Sequence, residues 1–120
     1  LTTCLQDPSA NVRWRAARVL GDLGGMSAEA LLPLLGDQDP NVRAEAARAL
    51  GLLHAVGALD GLLHLLEDEV AGVRFCAVEA LGRLGDPRSL ESLRRRVALD
   101  QDRDVREAAR DVVTQLEEKR

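Results

Sequence analysis

Apolar residues recur along this chain in blocks that keep one register. The blocks are counted from Val12, Val42, Val73 and Val105, which stand 30, 31 and 32 residues apart and are each followed by an arginine (Arg13, Arg43, Arg74, Arg106). Position four after each valine is Ala16, Ala46, Ala77 and Ala109; position eight is Leu20, Leu50, Leu81 and Val113; position eleven is Leu23, Leu53, Leu84 and Leu116. On a helix of 3.6 residues per turn these offsets fall within about 80°. Each block therefore predicts one amphipathic helix, helix B, with a stripe small enough at position four to let a neighbouring helix approach closely.

A second apolar pattern precedes three of these blocks and predicts helix A: Leu31, Leu32, Leu34 and Leu35, then Leu59, Leu62, Leu63 and Leu66, then Leu90, Leu93 and Val97. Ser27 and Asp86 suit its N-cap, with Pro87 at the first helical position, and Gly57 serves less well before the middle copy. Asp39, followed by Pro40, and Asp102 do the same for helix B. Gly24, Gly25, Gly36 and Gly85 fall in or near the breaks.

Each A–B pair thus reads as a helical hairpin that buries its apolar face only when a neighbour stacks on it. The units run roughly over 1–24, 25–55, 56–86 and 87–120, within a single domain spanning 1–120. The first is incomplete, with only LTTCL left of a helix A ahead of Asp7, and there is no start methionine. Either residues are missing upstream or the open first repeat faces a partner domain, with self-association by docking on a second copy as a further option; the chain accordingly reads as the C-terminal part of a longer solenoid. At the other end, position five changes from Ala17, Ala47 and Val78 to Arg110, followed by QLEEKR, as expected of a polar C-terminal cap.

One charge repeats with the apolar register. Asp7, Asp37, Asp68 and Asp100 stand five residues before each valine and six before each repeated arginine. We expect each to lock the A–B turn, accepting turn amides and pairing with an arginine of its own or an adjacent repeat; the rival reading is a charged ladder that binds a partner.

Composition narrows the fold to all-α. Hydrophobic residues make up 46% and charged residues 30%, yet only Trp14 and Phe75 are aromatic, so Leu, Ala and Val must build the interior. The net charge of -4 provides no global basic field for nucleic acid or anionic membrane, and no run approaches the 18 apolar residues of a membrane span. Cys4 and Cys76 form no CxxC pair, so free thiols and a cytoplasmic setting are expected.

A turn aspartate, Val-Arg six residues later, alanine at the helix contact and Leu-Gly near the helix end, at a period near 31, resemble the short HEAT-like repeats of the phycobilisome-lyase type. The resemblance covers essentially the whole chain. It implies a right-handed α-solenoid with helix A on the convex side and helix B on the concave side. Relatives of this kind include chromophore-lyase subunits, scaffolds, a metal-dependent hydroxylase and DNA glycosylases, so the resemblance implies an interaction surface and no particular chemistry.

Candidate chemistry is sparse. The hydroxylase branch carries His-Glu dipeptides as iron ligands, whereas here His54 precedes Ala55 and His64 precedes Leu65. Both histidines read as ordinary boundary or surface residues, and Cys76, at position three of its helix, reads as a packed thiol without a histidine partner. No P-loop, dinucleotide fingerprint or nucleophile elbow is present. The chain is expected to be no enzyme, to need no cofactor or metal, and to bind a protein rather than nucleic acid or a membrane.

The helix B face opposite the core is predicted at offsets two, six, nine and ten. Both aromatics, Trp14 and Phe75, occupy offset two, where Ala44 and Glu107 stand in the other copies. Arg15, Arg18 and Arg48 make the N-terminal part of this face basic; Glu79, Glu107 and Asp111 make its C-terminal part acidic, with Arg83 among them. We take Trp14, Arg15, Arg18, Arg48, Phe75, Glu79 and Arg83 as candidate partner-binding residues of a non-catalytic scaffold. The alternative is an accessory domain of an enzyme such as a chromophore lyase, with the groove holding a substrate protein or a bilin.

Overall fold

The computed structural model describes residues 2–24 and 28–118. Among the described residues, seven α-helices span Ala10–Leu23 (α1), Ala28–Leu31 (α2), Pro40–Leu52 (α3), Leu59–Leu65 (α4), Ala71–Leu84 (α5), Leu90–Leu99 (α6) and Arg103–Glu118 (α7). No strand occurs among the described residues, so the chain is all-α. Helices α1, α3, α5 and α7 are the B helices and stack on one another in chain order. The A arms form a second layer: a 3-10 turn over Thr2–Gln6, α2 with a 3-10 turn over Leu32–Gly36, then α4 and α6.

The A arms are less regular than the apolar pattern predicts. The arm of the second hairpin leaves α-geometry after Leu31 because Pro33 lacks an N–H and its ring disfavours a continuous helix. Asp39 caps α3 by accepting hydrogen bonds from the Asn41 and Val42 amides at 2.8 and 3.4 Å, and Asp102 accepts from the Val105 amide at 3.1 Å. Asp86 caps the 3-10 turn Pro87–Ser89 that leads into α6, and Gly57 lies inside the turn Val56–Ala58. Ser27 and Gly25 lie outside the described residues. Helices α1 and α5 end at Gly24 and Gly85 in the left-handed conformation; the left-handed residue that follows α3 is His54, at φ 52°.

The predicted stripe is buried where two hairpins meet. Val42, Val73, Val105, Ala46, Ala77, Ala109, Leu50 and Leu81 are almost fully enclosed, as are Ala17, Ala47 and Val78 at position five. Arg110, at the same position of α7, is exposed. Position eleven departs from expectation: Leu116 is buried, Leu53 and Leu84 are half-buried, and Leu23 is 68% exposed. The described arm that packs on α1 is the 3-10 turn Thr2–Gln6, and Val19 and Leu23 of that helix are exposed.

Offset nine was predicted to face outward, and the structure corrects it. Gly21, Gly51 and Gly82 sit at the B–B crossings: a Cβ on Gly21 would lie 2.7 Å from Ala49 Cβ, on Gly51 2.8 Å from Ala80 Cα, and on Gly82 2.9 Å from Val112 Cγ2. Each glycine receives position seven of the next B helix. Offset nine lies only about 100° from the centre of a stripe that extends to position five, so helix-to-helix contact captures it. Glycine and alanine draw the B helices together, while leucines separate the A arms, whose successive members make sparser contacts. A stack packed closely through its B layer and sparsely through its A layer is expected to curve with the B layer on its inner side.

The repeated aspartates form the joints. Arg13 donates from Nε and Nη2 to Asp37 (2.9 and 3.1 Å), Arg43 to Asp68 (2.8 and 3.2 Å) and Arg74 to Asp100 (2.8 and 3.0 Å), each pair crossing from one hairpin to the next. The Nη1 of each arginine turns back to the aspartate carbonyl of its own hairpin at 2.8 Å, as it also does from Arg106 to Asp100. Each aspartate in turn accepts the amide two residues ahead at 2.9 Å. Burial alone would push the Asp37 and Asp100 carboxyls up. The arginine hydrogen bonds and turn amides outweigh it and hold both below the usual carboxylate range. Asp37, Asp68 and Asp100 are committed to the interior of the stack, which favours the turn-lock reading over a binding ladder.

Candidate interaction surface

The inner surface is formed by B-helix residues that the joints leave free. Between α5 and α7 it deepens into a groove of about 730 Å³. Gly82 and Val112 bring α5 and α7 into contact beside it, and small residues on both sides, Ala71, Gly72 and Ala108, leave the space unfilled. Phe75 is half-buried along this floor and packs against the core.

Charge surrounds that floor. Glu79 and Arg83 project from α5, and Glu107 and Asp111 from α7, one and two turns further along; all four are exposed. Asp102 and Asp104, at the start of α7, complete the lining. Glu107 pairs with Arg103 at 3.0 Å, while Glu79, Asp104 and Asp111 have no ion-pair partner among the described residues. The structure thus brings Phe75, Glu79 and Arg83 into one groove. Asp102 and Asp104 were not among the candidates, because they precede the valine from which offsets are counted and only the turn places them at the mouth.

The other candidates lie apart from that groove, on α1 and α3. Trp14 is half-buried, packs against the core and donates from Nε1 to Asn11 Oδ1 at 3.2 Å. The Arg15 guanidinium lies 5.5 Å from the centre of its ring. Arg18 is exposed. Arg48 is not a free cation: it pairs with Asp22 at 2.9 Å across the first B–B seam and lies 3.7 Å from Glu45. The basic character of the N-terminal part therefore rests on Arg15 and Arg18.

Cys4 and Cys76 are both free and half-buried. Burial pushes the Cys76 thiol up, and the carboxylates of Glu79 and Glu45 add to that against the opposing pull of Arg48. His54 is exposed, with Nδ1 3.2 Å from the Arg83 carbonyl, and His64 is exposed on α4. Among the described residues no group of three or more His, Cys, Asp and Glu side chains is placed to hold a metal ion, and no helix is long and apolar enough to cross a membrane.

Fold and surface together define a class: a stack of antiparallel helix hairpins, sealed by Arg–Asp joints, with a grooved inner layer. The chain belongs to the HEAT-repeat family. The HEAT-repeat family model matches residues 28–114, and the model of the PBS lyase HEAT-like repeat matches residues 12–37. Among solved structures it is similar to human deoxyhypusine hydroxylase (TM-score 0.80, 31% identity, covering 97% of this chain and 42% of that one). It is also similar to the complex of CpcE and CpcF of phycocyanin lyase from a Nostoc species (TM-score 0.87, 26% identity, covering 98% of this chain and 51% of that one). An engineered protein shares the fold (TM-score 0.78, 22% identity, 98% of this chain and 61% of that one). The chain thus spans about half the length of the first two. No curated protein matches it closely in sequence.

Proposed function

We propose that the protein is a non-catalytic protein-binding module that engages its partner through the exposed face of the B helices. The observation that carries this reading is the division of labour among repeated positions. Residues that seal the stack are alike from hairpin to hairpin and largely buried, the first copy's Val12 excepted. Those on the inner face differ from copy to copy and leave a half-buried aromatic and uncommitted charges around a groove. Trp14, Arg15 and Arg18 at one end, and Phe75, Glu79 and Arg83 at the other, are the residues assigned to the partner, with Arg48 holding the first seam. The combined variant Trp14→Ala, Arg18→Ala, Phe75→Ala tests it. Protein partners retained by the unmodified chain from an extract of its source cell should be lost, with circular dichroism unchanged. Full retention of those partners sinks the reading.

The likeness to the phycocyanin lyase complex supports a second reading, an accessory domain whose groove holds a substrate protein or a bilin. Mixing the protein with a free bilin separates the two. A shifted visible absorption band favours the accessory domain, and an unchanged spectrum favours the general module.

A further inference from the structure

We infer that the groove between α5 and α7 takes an extended basic segment of a partner protein, one apolar side chain flanked by Lys or Arg. This rests on the inner-face reading above and gives it a partner chemistry. Two properties of the groove select the occupant. Its floor is apolar, built from Ala71, Phe75, Ala108 and Val112, with small residues on both sides. Its walls carry five carboxylates, from Glu79, Asp102, Asp104, Glu107 and Asp111, against the single guanidinium of Arg83.

The carboxylates are not equally spent. Asp102 caps α7 and Glu107 has Arg103, but Glu79, Asp104 and Asp111 face the groove without a cation among the described residues. Flanking walls of net negative charge beside a low-dielectric floor focus the field inward, so an incoming guanidinium or ammonium meets several carboxylates at once while its apolar neighbour covers Phe75. An acidic segment is repelled by the same walls. The basic end of the inner face, at Arg15 and Arg18, lies two hairpins away on α1 and leaves this groove's charge uncompensated.

Fluorescence anisotropy with two labelled peptides tests the assignment: Gly-Arg-Arg-Leu-Arg-Arg-Gly, and the same sequence with Glu in place of each Arg. The arginine peptide should bind, the glutamate peptide should not, and binding should weaken steeply between low and high salt. Neutralising two exposed wall residues with Glu79→Gln and Asp111→Asn should weaken the arginine peptide on the order of tenfold, with thermal unfolding unchanged. Equal binding of both peptides, or an unchanged affinity in the double variant, overturns the proposal. Binding of the glutamate peptide alone overturns it too, yet leaves the inner face standing as a binding surface at its Arg15–Arg18 end. If neither peptide binds while natural partners still depend on Trp14, Arg18 and Phe75, the groove assignment falls and the module reading survives. A concentration-dependent dimer abolished by the double variant would identify the occupant as a second copy and likewise overturn it.

Discussion

Arg74 reaches from the third hairpin to Asp100 of the fourth with two parallel hydrogen bonds of 2.8 and 3.0 Å, onto a carboxylate whose side chain is fully buried. Arg96 adds a third contact at 3.3 Å and the Asp102 amide a fourth at 2.9 Å. A buried charge satisfied from four directions is costly to leave half-paired. Asp100→Asn should therefore lower stability by about 2–3 kcal/mol and the unfolding midpoint by roughly 10 °C. The double variant Asp100→Asn, Arg74→Met should cost less than the sum of the two single variants, because removing both partners leaves no unpaired buried charge. A double-mutant cycle in denaturant reads that coupling.

The same joints set the acid limit of the fold. Asp37 and Asp100 titrate lower when folded than when unfolded, so the unfolded chain binds more protons as pH falls through the ordinary carboxylate range. Their stabilisation is fully present above about pH 5 and is lost progressively as pH drops below about 4 towards the folded values. Thermal melts between pH 2 and 7 should show this decline, and Asp100→Asn should flatten part of it.

On the B helices, Gly51 at a seam and the exposed Gly72 should answer an added methyl with opposite signs. In the first turn of α5, Gly72 has nothing within 4 Å of a built Cβ, so Gly72→Ala should stabilise by up to about 1 kcal/mol through helix propensity. At Gly51 the methyl would meet Ala80 backbone at 2.8 Å, and Gly51→Ala should destabilise by about 1–3 kcal/mol. Chemical denaturation of the two variants reads the difference directly.

His54 follows α3 with φ 52°, where α1 and α5 have Gly24 and Gly85 at φ 66° and 67°. The Ala55 amide closes the helix end onto the Leu50 carbonyl at 3.0 Å, so the left-handed residue is fixed in place. His54→Gly should stabilise by about 0.5–1 kcal/mol despite losing the contact with the Arg83 carbonyl.

With its thiol pushed up by burial and by Glu79 and Glu45, Cys76 should react slowly with a disulfide reagent at pH 7, well below the rate of a free thiol such as glutathione. Glu79→Gln should speed it modestly. A rate equal to that of the free thiol would contradict the half-buried position.

By itself the sequence determined the B helices, their turn locks and their stacking order, because a period-3.6 stripe of Ala, Val and Leu repeated every 30 to 32 residues has one economical burial, against a copy of itself. It also placed Phe75, Glu79 and Arg83 on one face. The tertiary structure decided the rest. Helix-to-helix distance drew Gly21, Gly51 and Gly82 from the predicted outer face into the seams. Pro33 broke the second A arm, and neighbours absent from any single repeat paired Arg48 with Asp22. Offsets along one helix fix direction, but contact depends on how near the next helix lies and what it carries, and that is a property of the stack.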